Sequence, residues 1–270
     1  MPSIVENKKV WGETYSWPEE GEEWSSAWGS AEAQWNGCLF PRIFPFLEGR
    51  ILEIAPGFGR WTGFLQDHCT SLIGIDLAQA CVDQCKRRFH GNPKVEFCAN
   101  DGLTFPMVES ASIDFAFSFD SLVHAESDVM ASYTRELARV LKPGGVAFIH
   151  HSNLQAVHVR SAVHRVGKLA KKAIPSFAGM MNKAAANIHL PVNGRSNTMS
   201  AAKMRAYAAE AGMWCVQQEI IPWLKGWWGM TDCMSTIAKA PGESCVVFKN
   251  PRFITEAGAI RRISSIRADR

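Results

Sequence analysis

No stretch of this 270-residue chain is long and apolar enough to span a bilayer, and its polar start, MPSIVENKKVWGE, lacks a signal-peptide core. A cytoplasmic protein without stable membrane insertion is therefore expected. The eight cysteines (Cys38, Cys69, Cys81, Cys85, Cys98, Cys215, Cys233, Cys245) include no C-x-x-C pair and no regular spacing. Cys81 and Cys85 share a helix face, but no second ligand pair accompanies them, so reduced and mostly buried thiols are the expectation. From Leu137 to Ala209 there is no Asp or Glu at all, against eleven Lys and Arg. That stretch should form a positive surface that attracts anionic partners. No N-P-P-Y-type base-flipping motif or RNA-binding module is visible, and the pI of about 8.4 is modest, so no nucleic-acid partner is expected.

What is present fits a soluble globule, with 47% hydrophobic and 20% charged residues and enough length for one large domain or a core plus an appendage. Residues 1–48 carry eight Glu and five tryptophans (Trp11, Trp17, Trp24, Trp28, Trp35). From Ser30 the pattern turns helical, with Trp35, Leu39, Ile43 and Leu47 on one face and breaks expected at Pro41 and Pro45. The Trp cluster reads either as a packed cover over the core's edge or as a lid whose aromatics and acids face a ligand.

The stretch Arg50 to Asp76, RILEIAPGFGRWTGFLQDHCTSLIGID, organises the rest. It reads as strand, glycine loop (Gly57, Gly59), helix, strand and acid. The glycines let the backbone approach a ligand, the helix start offers free N–H groups, and the carboxylate after the second strand can hold a ribose. A helix over Gln79–His90, a strand over Val95–Cys98, a strand over Ser112–Phe119 and a helix over Glu126–Leu141 follow. A fifth strand over Val146–His150 ends at His151-Ser152-Asn153. This alternation predicts a doubly wound parallel sheet. Leu154–Asn197 interrupts it, with a basic helix over Gln155–Ala173 and a cap over Pro175–Asn197. A helix over Ser200–Ala211, capped by Ser200, and strands over Trp214–Ile221 and Asp232–Lys239 complete the core. The expected division is 1–48 cover, 49–153 binding core, 154–199 basic insert, 200–250 remainder of the core and 251–270 basic tail.

The ordered set E-x-A-P-G-x-G, I-D, N-D-G, F-D-S and L-K-P-G-G resembles class I S-adenosylmethionine-dependent methyltransferases over about Ile51 to Asn153. The resemblance implies a Rossmann-like, seven-stranded α/β sheet with the Trp-rich cover and an insert after the fifth strand. It further implies that Glu53 and the loop Ala55, Pro56, Gly57 to Gly59 face the methionine part of S-adenosylmethionine. Asp76 would meet the ribose, Asp101 the adenine and Phe119-Asp120 the reactive sulfonium, with Leu77, Asn100 and Gly102 also on the cofactor. Pro56 departs from the usual Gly or Cys. A dinucleotide-binding dehydrogenase is the structural rival, disfavoured by N-D-G and K-P-G-G. More narrowly, EIAPGFGRWT, SFDSLVHAESDV, FIHHSN, W-S-x-x-W-G and T-D-C look like a bacterial group that methylates saccharide hydroxyls.

Transfer of a methyl group to a sugar hydroxyl needs alignment and a proton acceptor, or a metal. His124, His150 and His151 lie where the acceptor should arrive. Neighbours in a strand point to opposite faces, so only one of His150 and His151 should look into the cleft, and His151, nearer the mouth, is favoured. His124 reads either as the base or as a hydrogen-bonded residue orienting the next helix. Asp120 could orient His124, stabilise the sulfonium, or bind a divalent ion such as Mg with Asp232; a metal is not demanded. His158, His164 and His189 sit in the basic insert. The expected acceptor is a saccharide or glycosylated metabolite, the alternative a phenol, an amine or an acidic metabolite, and a homodimer through the cover or insert is compatible. A SAM-binding protein without catalysis is the remaining rival.

Overall fold

The computed structural model describes residues 3–157, 194–223, 229–242 and 244–268. Its frame is an eight-stranded sheet in the order β3-β2-β1-β4-β5-β7-β6-β8. The strands are β1 (Arg50–Ile54), β2 (Ser71–Asp76), β3 (Val95–Ala99), β4 (Ile113–Ser118), β5 (Leu141–Ser152), β6 (Trp214–Ile221), β7 (Asp232–Ala238) and β8 (Val246–Lys249). Strands β1 to β5 pair in parallel, and β7 lies antiparallel between β5 and β6. This is the Rossmann-like arrangement expected, with one strand beyond seven because β8 adds in parallel to β6. The strand order reverses direction between β1 and β4, which opens a crevice beyond their carboxyl ends.

Side-chain alternation sorts the core into two layers. Leu52, Ile54, Ile73, Ala116 and Ile149 pack with Met130 and Leu137 of the helix Ser127–Val140 and with Met204 of the helix Ala201–Glu210. Ile51, Leu72, Phe115, Phe117 and Phe148 pack with Trp28, Trp35, Leu39 and Ile43 on the other side. Ser200 caps the helix Ala201–Glu210, its Oγ accepting from the Lys203 N–H at 3.3 Å.

The helical run from Ser30 forms in pieces: Ala31–Gln34, a π turn Trp35–Leu39, a short helix Phe40–Ile43 and a 3-10 turn Phe44–Phe46. Pro41 and Pro45 lack the N–H that a regular ladder needs. Trp35, Leu39 and Ile43 are nonetheless buried, and Leu47 half-buried. The final helix, Phe253–Ala268, anchors Phe253 against Trp28 and Trp223 at ring separations of 5.8 and 5.9 Å.

The strand expected over Val146–His150 is longer at both ends. Ile113 pairs with Leu141 and Phe115 with Val146, so residues 142–145, directly after the helix Ser127–Val140 ends, bulge out of the ladder. At the other end β5 stays paired with β7 as far as Ser152 opposite Asp232. No helix of the described residues is long and apolar enough to cross a membrane. The helix over Gln155–Ala173 and the cap over Pro175–Asn197, with His158, His164 and His189, lie outside the described residues apart from their outer ends.

Candidate functional site

A cavity of about 260 Å³ opens in the crevice. Its floor is the turn after β1 (Ala55, Pro56, Gly57, Phe58) and the end of β2 (Asp76, Leu77). Ala55 and Gly57 both adopt left-handed backbone, with φ of +57° and +58°. Pro56 sits between them without disturbing the turn, whose Gly59 N–H donates to the Pro56 carbonyl at 3.0 Å. A Cβ on Gly57 would lie 2.7 Å from the Trp17 ring, so glycine is required there by contact as well as by φ.

Asp76 is buried and accepts from the Gly57 N–H at 3.1 Å and the Ala78 N–H at 2.8 Å. Burial pushes its carboxyl up to about 6 against the pull of those bonds. Gly102 and Tyr133 line the cavity beside it.

Four residues expected on the cofactor are not among those lining the cavity. Glu53 alternates away from the cavity and lies 1% exposed under the turn, where the Thr62 hydroxyl donates to it at 2.5 Å. Burial raises its carboxyl to about 7. Gly59 packs near Phe89 and Cys85. Asp101 is exposed and folds back on its own turn, accepting from the Leu103 and Thr104 N–H groups at 2.7 and 2.6 Å. Asn100 donates to the Tyr133 hydroxyl at 3.0 Å. Glu53, Asn100 and Asp101 are thus engaged in local hydrogen bonds.

The roof comes from the chain's beginning: Ile4, Asn7, Trp11, Trp17, Gly21 and Trp24. Trp17 stacks on Phe58 at 4.5 Å, and its Nε1 donates to the Trp11 carbonyl at 3.1 Å. Asn7 donates to the His124 carbonyl at 3.0 Å, and a Cβ on Gly102 would lie 3.0 Å from Ile4. The two readings of the Trp cluster thus divide between residues, since Trp28 and Trp35 are buried in the core layer while Trp11, Trp17 and Trp24 face the cavity.

The remaining wall contains Phe119, Asp120, His124, Arg60, Arg195 and Trp223. Asp120 is held in left-handed backbone (φ +63°) by partners on three sides. Arg60 Nη2 lies 3.2 Å from its Oδ2, Arg195 Nη2 3.7 Å from its Oδ1, and its N–H donates to His150 Nδ1 at 3.1 Å. Arg195 Nε donates to both oxygens of Asp232, at 3.1 and 3.0 Å. Burial works to raise the Asp232 carboxyl, yet Arg195 and His150 hold it below its ordinary value. Burial lowers the Arg60 pKa, with Asp120 opposing. The pair Asp120 and Asp232 does not fit the divalent ion considered for it, because guanidinium groups already occupy both carboxylates and would repel a cation. Among the described residues no group of three or more His, Cys, Asp or Glu is arranged to hold an ion.

The histidines separate cleanly. His124 ends the 3-10 turn Leu122–His124 and faces the cavity, its ring 5.0 Å from Trp11. Burial, helped by the charge of Arg195, lowers its pKa to about 4, while a hydrogen bond to the Gly194 backbone works the other way. The expectation for His151 is corrected. Because β5 continues past it, His151 is interior to the strand and points to the opposite face, with ring nitrogens 2.9 Å from the Ser152 carbonyl and 2.8 Å from Ser235 Oγ. The register of Phe117 with Phe148 turns His150 toward Phe119, where it is sealed between Phe119 and Trp223 at 4.6 and 4.8 Å.

Arg60, Arg195, Tyr133 and Trp223 were not anticipated. Arg60 stands inside EIAPGFGRWT, whereas Arg195 belongs to the acid-free stretch and no local pattern singles it out.

Residues 51–145, less than half of the chain, match the family model of a methyltransferase domain. The biotin biosynthesis bifunctional protein BioHC of Cellvibrio japonicus (strain Ueda107) is 36% identical over 101 residues, covering 37% of this chain and 19% of the relative. The tRNA (carboxymethyluridine(34)-5-O)-methyltransferase ALKBH8 of Mus musculus is 32% identical over 117 residues, covering 41% and 16%. The matches thus span less than a fifth of either relative. A putative sarcosine dimethylglycine methyltransferase from Galdieria sulphuraria shares the fold, with a TM-score of 0.53, 16% identity and coverage of 77% of this chain and 85% of that one. The architecture is that of the Rossmann-like methyltransferases.

Proposed function

We propose that the chain moves a methyl group from S-adenosylmethionine to a hydroxyl of a saccharide or glycosylated metabolite, with His124 accepting the proton. The methyltransferase domain match and the activity for which the mouse relative is named support methyl transfer. The observation that carries the residue assignment is a neutral, buried imidazole facing the cavity beside Trp11.

When bound, S-adenosylmethionine supplies an electrophilic methyl carbon on a sulfonium that leaves as a neutral thioether. The chain's residues do the rest. Asp76 would accept from the ribose hydroxyls, the turn Ala55, Pro56 and Gly57 would hold the methionine part, and Leu77, Gly102 and Ile4 would flank the adenine. Glu53, Gly59, Asn100 and Asp101 brace these from behind. Phe119 and Asp120 lie beside the sulfonium, and the roof tryptophans exclude water and offer flat faces to a sugar. As the oxygen–methyl bond forms and the carbon–sulfur bond breaks, the hydroxyl proton passes to His124. In this reading residues 1–48 cover a core formed by 49–153 and 200–250.

The aromatic wall of Trp11, Trp24, Trp61, Phe119 and Trp223 also favours a second reading, a phenolic or other non-sugar acceptor. Transfer of labelled methyl to a panel of sugars, glycosides and phenols separates the two. Turnover confined to phenols would sink the saccharide assignment.

A further inference from the structure

Arg195 gives its Nε to Asp232, whereas among the described residues Nη1 and Nη2 make no hydrogen bond, and Nη2 stands in a longer ion pair, 3.7 Å from Asp120 Oδ1. The side chain is only 4% exposed yet lines the cavity, so its guanidinium stands in the wall that meets whatever occupies the acceptor half.

This guanidinium is held rigidly. The Ser196 N–H donates to the Val123 carbonyl at 2.9 Å, the Ser152 hydroxyl to the Ser196 carbonyl at 2.5 Å, and the Ser196 hydroxyl to Glu126 at 3.2 Å. The guanidinium lies 5.6 Å from the Trp223 ring centre, and the preceding Gly194 takes the His124 hydrogen bond. A guanidinium fork fixed in this way matches the two oxygens of a carboxylate. An acceptor with no such group leaves two desolvated N–H donors unpaired, which is how a polar site rejects the wrong ligand. Asp120 so close to Nη2 makes a monoanionic carboxylate a better guest than a phosphate dianion.

We propose that Arg195 forms a carboxylate-binding subsite beside His124, so that the acceptor is a hydroxyl compound carrying a nearby carboxylate, such as a hexuronic acid unit. This rests on the reading of the cavity as a methyl-transfer site. The test is a titration of the protein saturated with S-adenosylhomocysteine, followed by ligand-observed NMR, using D-glucuronate against D-glucuronamide, salicylate against salicylamide, and glucose 6-phosphate. The variants are Arg195→Gln and the double variant Arg195→Gln/Asp232→Asn, in which no buried carboxylate is left unpaired. Wild type should bind a carboxylate at least about tenfold more tightly than its amide. That ratio should fall to about one in both variants, with affinity for S-adenosylhomocysteine unchanged. Equal binding of acid and amide by wild type, a preference that survives in the variants, or tighter binding of glucose 6-phosphate than of glucuronate overturns the subsite. A carboxylate preference confined to the salicylate pair upholds Arg195 and sinks the saccharide reading. Failure of wild type to bind S-adenosylhomocysteine sinks the donor assignment by itself.

Discussion

The backbone N–H of Asp120 donates to Nδ1 of His150 over 3.1 Å, which fixes the tautomer of that ring. The proton then sits on Nε2, 3.2 Å from Asp232 Oδ2. His150 thereby braces the strained Asp120 from behind, with its lone pair already used. His151 has both nitrogens engaged on the opposite face. Of the three histidines near the strand ends, His124 alone faces the cavity.

Replacement of His124 by Ala should lower kcat by about 10²- to 10⁴-fold and leave the affinity for S-adenosylhomocysteine close to wild type, as calorimetry can check. Because its pKa is lowered to about 4, wild-type turnover should stay level from pH 8 to pH 5 as far as this group is concerned. An inflection that His124→Ala removes, centred near pH 6.5, would contradict that environment. His151→Ala should reduce Tm, since it empties a buried hydrogen-bonded site, while the folded fraction keeps its kcat.

Asp76→Ala should weaken S-adenosylhomocysteine binding about tenfold or more, through loss of charge-assisted acceptors. The wild-type carboxyl titrates at about 6, so affinity should fall as pH drops through that value. Asp76→Asn should bind weakly at every pH. Affinity indifferent to both substitutions would place the ribose elsewhere.

Glu53 carries a stability prediction of definite sign. Its folded pKa of about 7 lies above the unfolded value, so the native state holds a proton that the unfolded chain releases, and this group favours folding more as pH falls from 7 toward 4. At pH 8 the buried carboxylate costs on the order of 3 kcal/mol. Glu53→Gln should therefore raise Tm at pH 8 in the ligand-free protein, with the advantage fading near pH 4. Denaturant melts at both values decide it; a variant less stable at pH 8 would reverse the argument.

The roof should control exchange. Trp17 stacks flat on Phe58, directly above Gly57. Its replacement by Ala removes an aromatic pair of about 1 kcal/mol and should speed release of S-adenosylhomocysteine several-fold in stopped-flow fluorescence. An unchanged off-rate would mean that the roof stays shut without it.

The stretch from Arg50 to Asp76 determined its own structure, because strand, glycine turn, helix and terminal acid are specified by local periodicity and by the few residues that tolerate left-handed backbone. Asp76, Gly57 and Gly102 line the cavity. Glu53, Asn100 and Asp101 do not, and their polar atoms are engaged by Thr62, by Tyr133 and by the turn at Leu103–Thr104. The extent of β5 was likewise hidden, because residues 142–145 follow the end of the helix Ser127–Val140 and join the strand as a bulge only when Ile113 and Phe115 pair around them. That pairing, with the ladder to β7, turned His150 to the cavity's side and His151 away from it. What only the tertiary structure decided is the acceptor wall. Arg60, Asp120, Arg195 and Asp232 are far apart in the chain, and the buried Asp232 is held below its ordinary pKa by the Arg195 and His150 that folding brings to it.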